Sequence, residues 1–260
     1  MGKPALADTL FDPWCSNQDF KANRKLFRLL TEKAASQGAA VDRLRSLLPT
    51  HYSDPKTIQR QLKKWGYDKT LNVLRSKLPE GKKARSGDIG EVLATEYVNR
   101  KLDFQVPIFK LRWRDDREMA MRGDDIFAIH VNEEGEVSFL KGEVKSRQSL
   151  GADAIQEAAE ALRRHGGRPA PHTINFVVDR LSQLNQDELY EALEDYLTPD
   201  AVPPKRVTHL VFVLSGNNPQ TQLQSFVTSH KGTIEVVAIG LRVKNHAEFI
   251  RLVFEGVKLA

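Results

Sequence analysis

Arg122-Gly123-Asp124-Asp125-Ile126-Phe127-Ala128-Ile129, followed by Lys141-Gly142-Glu143-Val144-Lys145-Ser146, is the stretch on which both fold and chemistry turn. An acidic residue opens one apolar run, and eighteen residues later Glu-x-Lys closes the next. Side chains alternate faces along a strand, so Glu143 and Lys145 project together while Val144 turns into the core. Asn132-Glu133-Glu134-Gly135, between the two runs, has the composition of a hairpin turn. Pairing through that turn brings Asp125 level with Glu143, so two carboxylates share a pocket with an ammonium. Carboxylates from separate strands suit Mg2+, which keeps several waters and takes its remaining ligands from phosphate. A lysine two residues from the Glu can then orient water or stabilise charge on phosphorus.

The flanking sequence predicts an α/β protein. A helix is expected over 88–101, burying Ile89, Val92, Leu93 and Tyr97, then strands over 104–113, 126–131 and 137–144. An Ala-rich helix over 152–164 ends at Gly166-Gly167. Beyond it the pattern alternates: strand 174–178, helix 186–196, strand 207–214, helix 222–230, strand 234–239, helix 246–254. This order implies a mixed sheet flanked by helices. Upstream, Phe20, Leu26, Phe27, Leu29 and Leu30 keep roughly helical spacing, and Leu44, Leu47 and Leu48 follow before Pro49. Asp54-Pro55 reads as cap and first residue of a helix carrying Ile58, Leu62 and Trp65. Nothing before residue 80 reads as strand. With Leu78-Pro79-Glu80-Gly81-Lys82-Lys83 as linker, two regions are expected: a helical one over 1–80 for binding a partner, DNA or both, and an α/β domain over 81–260.

Composition narrows the class. The 260 residues are 40 % hydrophobic and 28 % charged, which excludes collagenous and largely disordered chains. A mean hydropathy of −0.44 without any apolar run near twenty residues excludes a membrane helix. Met1-Gly2-Lys3-Pro4 lacks the apolar stretch of a secretory signal, and Leu6 stands where a myristoylation signal has Ser or Thr. Cys15 is the one cysteine, so no internal disulfide forms, and a cytoplasmic location is expected. Residues 1–87 carry 18 Lys and Arg against 8 Asp and Glu, whereas the remainder carries 21 against 26. That asymmetry points to an anionic partner for the first part, against the plainer reading of solvated helix faces.

The Asp125 strand start, the hairpin spacing and Glu143-Val144-Lys145 resemble the PD-(D/E)XK nuclease superfamily over roughly 86–180. The resemblance implies a restriction-endonuclease-like core, with Asp125, Glu143 and Lys145 catalytic and Mg2+, or Mn2+ in its stead, as cofactor. It implies metal ligation by Asp125, Glu143, the backbone carbonyl of Val144, and Glu91 from the preceding helix. The superfamily's Pro is replaced here by Asp124, an alternative ligand; Asp125, abutting Ile126, is favoured. Ser86-Gly87-Asp88-Ile89-Gly90-Glu91 with the two later motifs also resembles, more narrowly, the nuclease subunit of the Hachiman anti-phage system. That family implies DNA degradation by a subunit that a partner helicase restrains until it senses aberrant DNA.

Plainer readings stand beside these. Asp88 and Glu91 also fit a capping box, Asp125 a strand-end turn, and Lys145 a solvated edge lysine. An inert nuclease fold serving as a scaffold subunit is the alternative function. Gln156 on the Ala-rich helix, His165 and His172 read as surface residues. Trp65, among Lys63, Lys64, Tyr67 and Lys69, is expected in the core, with base stacking as the alternative. The histidines show no HExxH spacing, and neither a P-loop nor a dinucleotide-binding glycine fingerprint is present.

Overall fold

The computed structural model describes residues 10–198 and 200–259; the Met1–Pro4 and Leu6 readings fall outside them. The chain runs α1 (Phe11–Trp14), β1 (Cys15–Ala22), β2 (Lys25–Glu32), α2 (Gln37–Tyr52), α3 (Pro55–Arg75) and α4 (Lys82–Lys101). It continues through β3 (Ile126–Val131), β4 (Val137–Arg147), α5 (Ala152–Arg163), α6 (Pro171–Gln183) and α7 (Asp187–Glu194). β5 (Val207–Ser215), α8 (Gln220–Ser229), β6 (Glu235–Arg242) and α9 (His246–Glu255) complete it. The described strands form a six-stranded mixed sheet in the order β1-β2-β6-β5-β4-β3. Its centre, β2-β6-β5-β4, is parallel, and each edge is closed by an antiparallel hairpin.

Helices cover both faces. Leu140, Leu210, Phe212 and Ile239 point to the α2, α4 and α9 side, while Val211, Val213 and Ala238 meet α5 and α8. Toward the β3 edge, Phe127, Phe139 and Val207 pack on α6 and α7. A parallel sheet buried on both faces calls for apolar residues in nearly every position, as the wholly buried β5 shows. The α/β class and the mixed sheet flanked by helices are therefore as expected, and the N-terminal region is helical over α2 and α3.

Three expectations fail. Residues 15–32 are strands, not helix: β1 and β2 form a hairpin through Asn23-Arg24, with Asn23 at φ 51°. Leu26, Phe27, Leu29 and Leu30 serve two covered faces of a strand, and that doubled pattern imitates helical spacing. Residues 174–178 lie in α6, where Ile174, Val177, Val178 and Leu181 are buried at helical intervals behind Pro171. The strand following the Ala-rich helix is β5 instead. Residues 104–113 contribute only a bridge between Gln105 and Ile129 and a 3-10 turn at Lys110–Trp113. Because β2 pairs with β6, residues 1–80 cannot be removed without opening the sheet.

Phe27 is 0 % exposed in β2. Phe27→Ala should lower the unfolding free energy by about 3–5 kcal/mol in a denaturant titration, as an integral core position requires. A loss of under about 1 kcal/mol would mean that the N-terminal hairpin is a dispensable edge.

Candidate active site

β4 outruns its antiparallel neighbour. The ladder with β3 begins at Ile126 opposite Gly142, yet β4 continues to Arg147. The Val144 N–H therefore faces the β3 side with no strand beside it, and the Asp125 carboxylate accepts its hydrogen bond at 2.9 Å. In a strand, a residue's C=O points to the same edge as its N–H, so the Val144 carbonyl opens onto this place too. Glu143 and Lys145 share the opposite face of β4 from Val144, toward α5, where Lys145 Nζ lies 3.3 Å from Glu157 Oε2. Lys145 is half-buried and paired with Glu157, so it is not the freely solvated lysine of the plainer reading.

Glu91 arrives from α4. A Cβ on its neighbour Gly90 would stand 2.9 Å from Val144 Cγ1 and 3.4 Å from Ser146 Cβ, so only glycine lets the helix lie this close to β4. Ser86 and Ser146 hydroxyls meet at 2.8 Å across the same contact. The capping-box reading of Asp88 and Glu91 fails, because α4 starts at Lys82 and both residues lie inside it. Asp88 is buried, paired with Arg114 at 2.5 and 2.8 Å, and accepts a hydrogen bond from the Tyr52 hydroxyl.

The adjacent aspartates have separate tasks. Asp124 is 4 % exposed; its carboxylate accepts from Ala170 N at 2.8 Å and lies 3.7 Å from Lys141 Nζ. Lys141, 1 % exposed, donates also to the Arg164 and Arg168 carbonyls at 3.0 Å. Asp124 thus ties the start of α6 to β4, and Asp125 alone of the two is bonded at the Val144 end of the strand. Lys141 had no part in the sequence reading, since a lysine between strand residues resembles any solvent-facing position.

Lys110 was missed as well. Its Nζ donates to the Asp124 carbonyl at 2.7 Å, and its charge acts on both Glu91 and Asp125. Burial pushes the Glu91 carboxyl up to about 7, with Lys110 opposing and Asp125 adding to the rise. Burial likewise carries Glu143 up to about 8, reinforced by Asp125 and opposed by Lys145. Asp125 is raised by burial, against the pull of Lys110 and the Val144 N–H. These carboxylates are crowded and desolvated without enough positive charge to match.

Among the described residues no three His, Cys, Asp or Glu side chains stand together as a ready ion cage. The site is instead two interacting pairs, Glu91 with Asp125 and Glu143 with Asp125. Two carboxylates and a backbone carbonyl suit Mg2+, which is seldom held by an all-protein cage. The donor chemistry fits a hard divalent cation. Alongside lies a cavity of about 220 Å3 walled by Glu91, Asp125, Lys110, Phe109, Phe127 and His172. His172 is exposed at its rim, His165 is exposed on its turn, and Gln156 on α5 faces solvent, donating to Glu160 at 3.1 Å.

Comparison with known proteins gives two matches. A family model described as HamA matches residues 8–257. A protein of Bacillus cereus, "Hachiman protein HamA", is 24 % identical over 189 residues, covering 73 % of this chain. The match spans 65 % of that relative's length, a little under two thirds.

The two classes of carboxylate predict opposite stability effects. The folded-state pKa of Glu143 lies above its ordinary 4.5, so its contribution to stability is lost as pH rises from there through about 8. Glu143→Gln should therefore stabilise the metal-free protein at pH 8 by on the order of 1–2 kcal/mol. Asp124→Ala, which strands Lys141, should cost about 3–5 kcal/mol. Urea titrations of both variants in EDTA check the pair of signs; a destabilised Glu143→Gln would make Glu143 a structural residue.

Proposed function

Because the chain belongs to the HamA family, we propose that it is a metal-dependent deoxyribonuclease, the effector of an anti-phage defence system. The observation that carries the reading is Asp125 bonded to Val144 N–H beside Glu143, with Lys110 and Lys145 acting on the same carboxylates. On this reading the corner is a PD-(D/E)XK site, and the fold would be a variant of that superfamily's. Asp125, Glu143 and the Val144 carbonyl would hold Mg2+, with Glu91 adding a carboxylate from α4. Bound there, a cation would polarise the scissile phosphate and lower the pKa of a water. The Val144 N–H fixes the Asp125 carboxylate, and Glu143 stands half-buried beside it. Lys145, released from Glu157, places an ammonium beside the phosphate on the Glu143 face. Lys110 offsets the carboxylates on the Glu91 side. The partners are DNA and a Hachiman-type helicase that restrains cleavage until aberrant DNA is met.

A second reading, an inert nuclease fold acting as a scaffold, is favoured by one observation: Lys145 is already paired with Glu157. Cleavage of plasmid DNA by purified protein with Mg2+, Mn2+, Ca2+ or EDTA separates the two. With Mg2+ or Mn2+, activity is expected, and Glu143→Ala or Lys145→Ala should abolish it while circular dichroism stays native. Glu157→Ala, which frees Lys145, should retain cleavage. Asp125→Asn should lose far more activity per folded molecule than Asp124→Asn, and Val144→Asp should damage folding by placing charge at the core. The helicase complex should cleave less than the free subunit. Wild-type cleavage by Glu143→Ala would remove the proposed site.

A further inference from the structure

α3 contains a break that its sequence spacing hides. Gly66 stands at φ 75° and ψ −178°, so the helix is two arms meeting at an elbow. No atom lies within 4 Å of a Cβ built there, so the glycine answers to backbone conformation and not to lack of room. Every residue from Lys63 to Lys69 is exposed, which makes the elbow the outermost part of the helix. Trp65 is 37 % and Tyr67 46 % exposed, whereas Trp14 is 1 % exposed. The expectation of a core tryptophan therefore fails.

Charge surrounds the exposed ring. Lys64 Nζ and Lys69 Nζ lie 5.7 and 5.3 Å from the Trp65 ring centroid. Across α3, Lys56, Arg60, Lys63, Lys64, Lys69 and Arg75 face a single acid, Asp68. An apolar protein surface docking on this tryptophan would have to strip water from the flanking ammonium groups. A polyanion carrying flat rings meets no such cost: its phosphates take the lysines and its bases take the indole face. Duplex DNA satisfies only half of this, because its bases are stacked on one another.

From this elbow we infer that α3 is a binding platform for single-stranded nucleic acid, with Trp65 stacking on a base and Lys63, Lys64 and Lys69 gripping phosphates. α3 begins at Pro55, just beyond His51, which lines the cavity next to Glu91 and Asp125. The platform contains none of the carboxylate-site residues, so it stands whether or not that site cleaves DNA.

Binding of the full-length protein to a fluorescein-labelled oligothymidylate and to a blunt duplex of equal length, by anisotropy in EDTA, tests the inference. Trp65→Ala should weaken oligothymidylate binding about tenfold and duplex binding much less, with Trp65→Phe restoring most of the loss. The triple change Lys63→Ala, Lys64→Ala, Lys69→Ala should flatten the salt slope for the single strand by about 1–2. Oligothymidylate should also quench tryptophan emission in the wild type more than in Trp65→Ala. Thermal melts confirm folding, which substitution at this exposed elbow should leave intact. Unchanged oligothymidylate affinity in Trp65→Ala would overturn the platform. So would an equal loss for duplex, or a Trp65→Ala defect confined to helicase association.

Discussion

Between β3 and β4 the hydrogen-bond ladder stops at Ile126 and Gly142, and β4 carries on toward Arg147 paired only with β5. A buried backbone N–H cannot be left without an acceptor at that point, and Asp125 supplies one from its side chain. The same mismatch leaves room for Glu91 to approach over Gly90 and opens the cavity beside Lys110. Asp125 is fixed where the sheet runs out because a backbone N–H there still needs a partner. Neighbouring parts of the fold serve to hold that unfinished corner: Asp124 fastens α6 through Ala170, and Lys141 fastens the turn around Arg164 and Arg168.

Two buried acids away from the site have close partners. Glu96 is desolvated, but His51 at 2.8 Å and Arg100 at 2.8 Å more than offset burial, and its carboxyl falls below the usual range. Asp88 is held by Arg114 and Tyr52, although burial still carries its carboxyl above the usual range. Burial raises Glu91, Asp125 and Glu143, which stand together with only partial offset from Lys110 and Lys145. Three desolvated carboxylates short of positive charge are the electrostatic basis on which the proposed cation site rests. The stability lost at that corner is supported by an extensive core on both faces of the sheet.

Much of this was legible in the residues. The apolar runs beginning at Ile126 and Val137, joined by a short polar turn, read as a hairpin, and its register sets Asp125 level with Glu143. The interior strand β2 was not legible, because residues buried on both faces lose the period-two signal that identifies strands. α6 failed for the converse reason: β-branched Thr173, Ile174, Val177 and Val178 carry strand propensity, and packing against Phe127 and Phe139 overrides it. Lys110 and Lys141 were illegible as site and clamp, since their roles come from partners distant in sequence. The break at Gly66 was equally hidden, as apolar spacing on either side stays helical.

The pairing of β2 with β6 joins Lys25–Thr31 to Val236–Arg242, strands separated by some two hundred residues of chain. During synthesis, at roughly 5–20 residues per second, β2 waits on the order of ten to forty seconds for the strand that completes its parallel edge. Through that interval Leu26, Phe27, Leu29 and Leu30 are apolar surface on a nascent chain and a natural target for chaperones. The carboxylate corner, whose residues lie between Glu91 and Lys145, is translated long before the sheet behind it can close. The carboxylate corner is thus made early and assembled late, and the delay comes from strand order alone.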